Sequence, residues 1–349
     1  MFFTRDIGID LGTANTLVYM KGRGIIIREP SVVAVDVGSD KVRCVGEAAK
    51  EVIGRTPDSV AVVRPLRDGV IADFDITISM LEDLIRRATG SSLLIRPRVV
   101  ICVPSGVTGV ERRAVRDVTE QAGARKVLVI EEPMAAALGA GLPVAEPTAT
   151  MVADIGGGTT EVAVISLGGI VASRSIRVGG DKFDEAIISY VRRSFNLLIG
   201  EPTAEKVKIE IGSAMPLNGE GEEELSMEIK GRNLLTGLPQ SVHITSQQVR
   251  QALLAPLKEV LEAVRYTLER TPPDLSADII DRGIMLTGGG ALLRGIDRLI
   301  HEATSMPVKI AENPLDCGAV GAGLVLDNHD AMADALSEED VPQYNRQNS

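Results

Sequence analysis

Apolar residues along this chain fall into short runs that end on glycine, and the order of the runs repeats. Residues 7–9 lead into Asp10-Leu-Gly-Thr-Ala-Asn-Thr16, followed by an apolar stretch at 17–20, a turn at Gly22 and Gly24, and a third stretch at 25–27. The same order returns around Asp154-Ile-Gly-Gly-Gly-Thr-Thr160, with apolar stretches at 162–165 and 170–172 and a turn at Gly168 and Gly169. Runs of this length broken by glycine read as strands, so each half opens with a β-hairpin and a third strand. Further along, the period changes from two to 3.6. Between 76 and 88, apolar residues occupy 76, 80, 84 and 88, with 81 and 85 beside them, which is one face of a helix. The unbroken run 99–103 reads as a buried strand, Thr108-Gly-Val-Glu111 has the spacing of a capping box, and 126–130 is a second buried strand. Pro133 suits the first turn of a helix continuing over 134–138.

In the second half, Asp181 is the expected cap of a helix with Phe183, Ile187 and Val191 on its apolar face. A long helix is expected over 246–270, ahead of Pro272 and Pro273, and a short buried strand over 283–286. Residues 216–244 are poorer in helix signals and carry acidic residues at 222–224, which reads as a small inserted subdomain with a solvated loop; 32–65 is its counterpart in the first half. Strands alternating with helices imply an α/β fold.

The chain has 349 residues, 44% hydrophobic and 24% charged, enough for a packed core in two domains or one bilobed unit. Its net charge of −11 argues against a general attraction to nucleic acid. Cys44, Cys102 and Cys317 lie far apart, two of them in or beside apolar runs, and read as buried reduced thiols of a cytosolic protein rather than a disulfide or metal set. No apolar run is long enough to span a bilayer, and residues 1–10 lack the pattern of a secretory signal. Phe2 and Phe3, followed by Arg5, either dip into a membrane surface or pack on their own domain.

The repeated glycine turns suggest phosphate chemistry. Glycine lets backbone donors approach phosphate oxygens where a side chain collides, and Gly12, Gly156, Gly157 and Gly158 suit this. Thr13, Asn15, Thr159 and Thr160 add short polar groups, and Asp10 and Asp154 stand where paired carboxylates hold a hydrated Mg²⁺. Neither stretch has the Gly-Lys-Ser/Thr ending of a P-loop, and neither is a dinucleotide fingerprint, which opens a helix rather than a hairpin. Glycine and threonine alone also make ordinary tight turns; their duplication in register favours the phosphate reading. A third cluster, Leu286-Thr-Gly-Gly-Gly-Ala-Leu-Leu-Arg294, lets a base and ribose approach the backbone. Glu205 and Lys208, three apart on an expected helix, fit either a nucleoside contact or a surface ion pair.

These motifs, with Glu131-Glu-Pro-Met-Ala-Ala-Ala137, resemble the actin, heat-shock chaperone and sugar kinase superfamily. The narrower resemblance is to the MreB family of bacterial actins. It rests on residues 10–19, Arg67-Asp-Gly-Val-Ile-Ala-Asp73, Val103-Pro-Ser-Gly106, residues 154–165 and Ala204-Glu-Lys-Val-Lys-Ile-Glu-Ile-Gly212. It implies an actin-like fold: two duplicated ribonuclease-H-like halves, each with a small insert, and a nucleotide cleft between them. The implied subdomains are IA (1–31, 66–145 and a return at 315–327), IB (32–65), IIA (146–181 and 246–314) and IIB (182–245), with 328–349 a polar tail. Carried over by motif, Gly12, Thr13, Ala14, Asn15 and Gly156, Gly157, Gly158, Thr159 touch the phosphates of ATP or ADP. Asp10 and Asp154 place Mg²⁺ through water, and Glu205, Lys208, Gly288, Gly289, Gly290 and Ala291 hold the adenosine. Glu132 and Thr159 orient the attacking water; by itself Glu132 is also a plain helix N-terminal charge. The first hairpin has no lysine, unlike eukaryotic actin, so slow hydrolysis is expected.

The resemblance further implies head-to-tail protofilaments in pairs on the inner face of the cytoplasmic membrane, working with the cell-wall elongation machinery. Leu93 and Leu94 match the position of a hydrophobic membrane loop and, with Phe2 and Phe3, form one expected patch. Two other classes stand beside this one. A soluble small-molecule kinase needs a separate catalytic base, and no candidate besides Glu132 is evident; a non-polymerising ATP-binding adaptor predicts binding without an assembly threshold.

Overall fold

The computed structural model describes residues 6–39, 41–90, 96–217 and 224–327. In the first half, β1 (Ile7–Leu11), β2 (Asn15–Met20) and β3 (Gly24–Pro30) form the expected hairpin and third strand. A small sheet follows, built from β4 (Val33–Asp36), β5 (Val42–Val45) and β6 (Val60–Val63), with the one-turn helix α1 (Glu47–Lys50) before its last strand. After the short pair β7 (Leu66–Arg67) and β8 (Val70–Ile71) come α2 (Phe74–Thr89), β9 (Arg98–Val103), α3 (Gly109–Gln121), β10 (Lys126–Glu131) and α4 (Glu132–Gly139).

The second half opens the same way, with β11 (Thr150–Ile155), β12 (Thr160–Ser166) and β13 (Gly169–Ile176). Then follow α5 (Gly180–Phe195), β14 (Leu197–Leu198), α6 (Glu201–Ile211), and the hairpin β15 (Ser226–Asn233) and β16 (Pro239–Thr245). The chain continues through α7 (Ser246–Arg270), α8 (Pro273–Arg282), β17 (Ile284–Thr287), a 3₁₀ turn (Gly289–Leu292), α9 (Ile296–Thr304), β18 (Val308–Ile310) and α10 (Cys317–Asp327).

The two large sheets run β3-β2-β1-β9-β10 and β13-β12-β11-β17-β18. In each, the first three strands are antiparallel and the next two join in parallel, so the repeat in the sequence is a repeat of topology. Local chemistry sets the element ends. The Asp73 carboxylate accepts from the Ile76 N–H at 3.0 Å and starts α2, and the Thr108–Glu111 capping box opens α3 with both reciprocal hydrogen bonds. Asp181 is not the cap of α5: Gly179 holds that place and Asp181 lies in the first turn, where a negative charge favours the helix without capping it. The face Phe183, Ile187 and Val191 is buried as expected.

Each sheet packs its outer face on its own helices, α2 and α3 in one half and α5 and α7 in the other. A third apolar cluster belongs to both: Val100, Leu128 and Ile130 of the first sheet meet Val152, Ala163 and Ile165 of the second through α4 and α10. These two helices are rich in alanine and glycine because they lie almost in contact. A Cβ on Gly321 stands 1.8 Å from the Ala135 carbonyl oxygen, and one on Gly139 stands 1.9 Å from that of Cys317. Any side chain there forces the helices apart, at about 1–3 kcal/mol or more for overpacking. The shared layer fixes the two sheets with their hairpin turns facing. Cys102 and Cys317 are buried thiols, whereas Cys44 in the small sheet is only half-buried.

Candidate functional site

The hairpin turn between β1 and β2 meets the turn between β11 and β12 tip to tip. A Cβ on Gly157 falls 2.4 Å from the Ala14 Cβ, and one on Gly158 falls 2.5 Å from the Thr13 hydroxyl oxygen. Only glycine permits this approach, so residues 12–15 and 156–159 are brought to one point. Thr13 and Thr159 are nearly buried there, and Thr13 Oγ1 accepts the Gly69 N–H at 3.0 Å. Thr160 turns away: it is fully buried and its hydroxyl donates to the Val178 carbonyl at 2.7 Å, which removes it from the polar groups facing the cleft.

Beneath the paired turns lie Asp10 at the end of β1 and Asp154 at the end of β11. Burial, then the charge of Asp154, raises the Asp10 pKa from 3.8 to about 7. Burial raises Asp154 to about 6 against a 2.8 Å hydrogen bond from the Thr287 hydroxyl. Both side chains keep an edge on the cleft. Gly318, in the first turn of α10, lies so near that a Cβ stands 2.4 Å from Asp10 Oδ2, placing that carboxylate at a helix N-terminus. Glu132 begins α4, at the end of β10, and faces the same space. Burial pushes its pKa well above the usual carboxylate range, and the charges of Glu161, Asp10 and Asp154 add to the rise. Four acids thus converge, and among the described residues no cation contributes to the shifts of Asp10, Glu132 or Asp154. Such a group is complementary to a positive charge brought from outside.

The third glycine cluster closes the second hairpin from the side. A Cβ on Gly288 stands 2.4 Å from the Ile155 carbonyl oxygen, and one on Gly290 stands 2.2 Å from Ile155 Cγ2. Gly289 is exposed beside them, and Ala291 is buried in the 3₁₀ turn. Lys208 on α6 also reaches this region: Nζ donates to the Gly180 carbonyl at 3.0 Å and pairs with Asp184 at 2.8 Å. Glu205, one turn earlier on the same helix, pairs at 2.8 Å with Lys50 at the end of α1. Glu201 pairs with Arg64 at 3.1 Å beside it, so two ion pairs join α6 to the first half. Phe2, Phe3, Leu93 and Leu94 lie outside the described residues.

Some residues of the site carried no clear signal in the sequence. Gly179 and Gly180 start α5 against the second turn, where the N–H groups of Gly180 and Asp181 donate to the carbonyls of Gly156 and Gly157 at 3.0 and 2.8 Å. A glycine pair just before a helix was the available sign. Glu161 and Thr287 are both fully buried, and neither was singled out by periodicity.

The arrangement matches known proteins over nearly its whole length. A family model described as MreB/Mbl protein covers residues 4–334. The cell shape-determining protein MreB of Escherichia coli (strain K12) is 54% identical over 343 residues, which cover 97% of this chain and 98% of the relative. The cell shape-determining protein Mbl of Bacillus subtilis (strain 168) is 50% identical over 330 residues, covering 95% and 98%. Among solved structures, MreB5 of Spiroplasma citri bound to ADP superposes with a TM-score of 0.88 at 39% identity, covering 94% of this chain and 98% of that one. The MamK double helical filament, at 22% identity and a TM-score of 0.78 over 92% and 98%, shares the fold. The duplicated sheets, the facing glycine turns and the acids beneath them are therefore an actin-like fold, and the chain belongs to the MreB/Mbl family.

Proposed function

We propose that this chain is an ATP-dependent, actin-like cytoskeletal protein whose filaments organise cell-wall synthesis and maintain rod shape, with slow hydrolysis acting as an assembly switch. The tip-to-tip contact of the two glycine turns carries this reading, because it brings the backbone and threonines of both turns to one point, as a grip on one phosphate chain requires. Residues 12–15 and 156–159 grip phosphates of ATP or ADP. Gly288, Gly289, Gly290 and Ala291 lie against adenosine, with Glu205 and Lys208 at its other edge. The MreB5 structures of Spiroplasma citri, bound to AMPPNP and to ADP, support a nucleotide here.

The acids suit Mg²⁺. It prefers oxygen ligands, keeps several waters and takes one or two carboxylates with the phosphates, which is what Asp10 and Asp154 offer. Bound magnesium supplies charge neutralisation on the phosphate chain. Glu132 and Thr159 then align a water for attack at the terminal phosphate, a reaction helped chiefly by positioning and charge stabilisation. The subdomains follow the division 1–31, 66–145 and 315–327; 32–65; 146–181 and 246–314; and 182–245, so the ion pairs Lys50–Glu205 and Arg64–Glu201 bridge the two small ones.

Protofilaments form by head-to-tail stacking, pair with one another, and lie on the inner face of the cytoplasmic membrane beside the elongation machinery. Phe2, Phe3, Leu93 and Leu94 supply the apolar membrane contact. Among the described residues no helix is long and apolar enough to cross a membrane. The test is pelleting over a concentration series with ATP, ADP or no nucleotide, with and without liposomes, alongside phosphate release. A critical concentration set by nucleotide or lipid is expected, and Asp154→Ala should remove the magnesium-dependent part. Soluble protein under every condition refutes the filament reading.

A further inference from the structure

The repeat is symmetric in backbone and asymmetric in one buried side chain. In the first half, Asp10 on β1 is paired across the hairpin with Leu17; in the second, Asp154 on β11 is paired with Glu161. Both partners are buried, Leu17 at 6% exposure and Glu161 at 0%. The architecture accepts an apolar side chain at this place, and a carboxylate there is costly unless donors surround it. Glu161 has three. The Ser105 N–H at 3.1 Å and hydroxyl at 2.5 Å donate to Oε2, and the Ser175 hydroxyl donates to Oε1.

The two serines come from opposite halves, Ser105 from the loop after β9 and Ser175 from β13. Around them there is no slack. A Cβ on Gly106 stands 3.1 Å from Ser175 Cβ, and one on Gly69 stands 2.9 Å from Pro104 Cγ and 2.7 Å from Thr159 Cγ2. Strand register shows what this tie controls. β9 and β10 run in parallel with Val103 beside Glu131, so the loop held by Glu161 leaves the sheet next to Glu132. Thr159 stands two residues before Glu161 on the other half. Glu161 and Glu132 are close enough to feel one another's charge.

We propose that Glu161 is a positioning residue of the hydrolytic site, holding the Ser105 loop and the β12–β13 hairpin in one register so that Glu132 and Thr159 address the same phosphate. The inference rests on the hydrolytic reading above. Glu161 acts through its neighbours, since both of its oxygens are engaged by serines.

The experiment compares the full chain with Glu161→Ala, Glu161→Gln and Ser175→Ala. Affinity is read by titration with a fluorescent ATP analogue, phosphate release at saturating magnesium ATP, and folding by thermal melting. Loss of register should slow phosphate release by about tenfold or more in the alanine variants, because small misplacements at a reacting centre are costly. The dissociation constant should stay within about threefold, since the phosphate donors are untouched. Glutamine keeps the shape, accepts from Ser105 and donates to the Ser175 hydroxyl, so Glu161→Gln should retain most of the rate. If Glu161→Ala does not fold, Ser175→Ala and Glu161→Gln carry the same comparison. Full-rate release in the alanine variants overturns the inference, as does a glutamine variant as slow as alanine or a parallel loss of affinity and rate. An unaltered chain that binds magnesium ATP and releases no phosphate overturns the hydrolytic reading and this inference with it.

Discussion

Acids gathered at the cleft floor should make the nucleotide-free protein lose stability as pH rises through neutrality. Asp10 moves from 3.8 to about 7 and Asp154 from 3.8 to about 6. Each binds its proton more tightly in the folded chain than in the unfolded one, so folding is favoured at low pH and the advantage is lost as pH climbs from about 4 through the folded values. At about 1.4 kcal/mol per pKa unit, the two shifts amount to roughly 4 and 3 kcal/mol for groups sealed from water. Both aspartates keep an edge on the cleft, and part of the Asp10 rise is the charge of Asp154, so the usable total is nearer 3 kcal/mol. Spread between about pH 4 and 7, that is about 1 kcal/mol per unit.

The assay is the unfolding midpoint of nucleotide-free protein, below any assembly threshold, from pH 4 to 8. A fall of several degrees is expected, since about 1 kcal/mol corresponds to roughly 2 °C in a chain of this size. Magnesium ATP should flatten the slope, because a bound dication stabilises the ionised acids and ligand binding adds its own stabilisation. Asp10→Asn should raise the midpoint of the nucleotide-free protein at pH 8 while removing the stabilisation by magnesium ATP. A midpoint that is level or rises between pH 4 and 8, or an asparagine variant less stable at pH 8, refutes the argument.

Other perturbations address separate parts of the site. Glu132→Ala should leave nucleotide affinity intact while slowing phosphate release by about a hundredfold, the usual scale for a residue that aligns a reacting water; longer-lived filaments should follow, and unchanged release in a single-turnover assay counts against the role. Gly157→Val forces a branched side chain into the 2.4 Å gap at Ala14 and should abolish binding of fluorescent ATP; binding at normal affinity contradicts the meeting of the two turns. Replacing Leu93 and Leu94 by serine should weaken liposome co-pelleting without changing the critical concentration, and equal co-pelleting removes these residues from the membrane contact.

Periodicity in the sequence made most of the elements legible. The face at 76, 80, 84 and 88 became α2, the Thr108–Glu111 spacing became a real capping box, and α7 spans residues 246–270 as expected. α10 was hidden because it is apolar all round, with glycine and alanine replacing any stripe, which is the signature of a helix packed on every side. The glycine turns were legible as a repeated motif, but their contact was not, since it depends on the layer of α4 and α10 that sets the sheets face to face. The charged residues were least legible. Lys50 and Arg64 lie far from Glu205 and Glu201 in sequence, and only the folded chain pairs them across the cleft.

The difference between the halves shows why chemistry is harder to read than architecture in a duplicated protein. A shared backbone preserves whatever both halves need: the aspartate at the end of the first strand, the glycine of the turn, and the buried threonine that follows. Chemistry needs the halves to differ, because a phosphate chain has two unlike ends and one attacking water. Glu161 therefore appears as an exception to the repeat, with Leu17 at the matching place in the other half. In a repeated fold, aligning the halves and asking where a buried polar side chain replaces an apolar one is a direct way to find residues that periodicity cannot mark. Here it leads to Glu161, the carboxylate that joins Ser105 to Ser175.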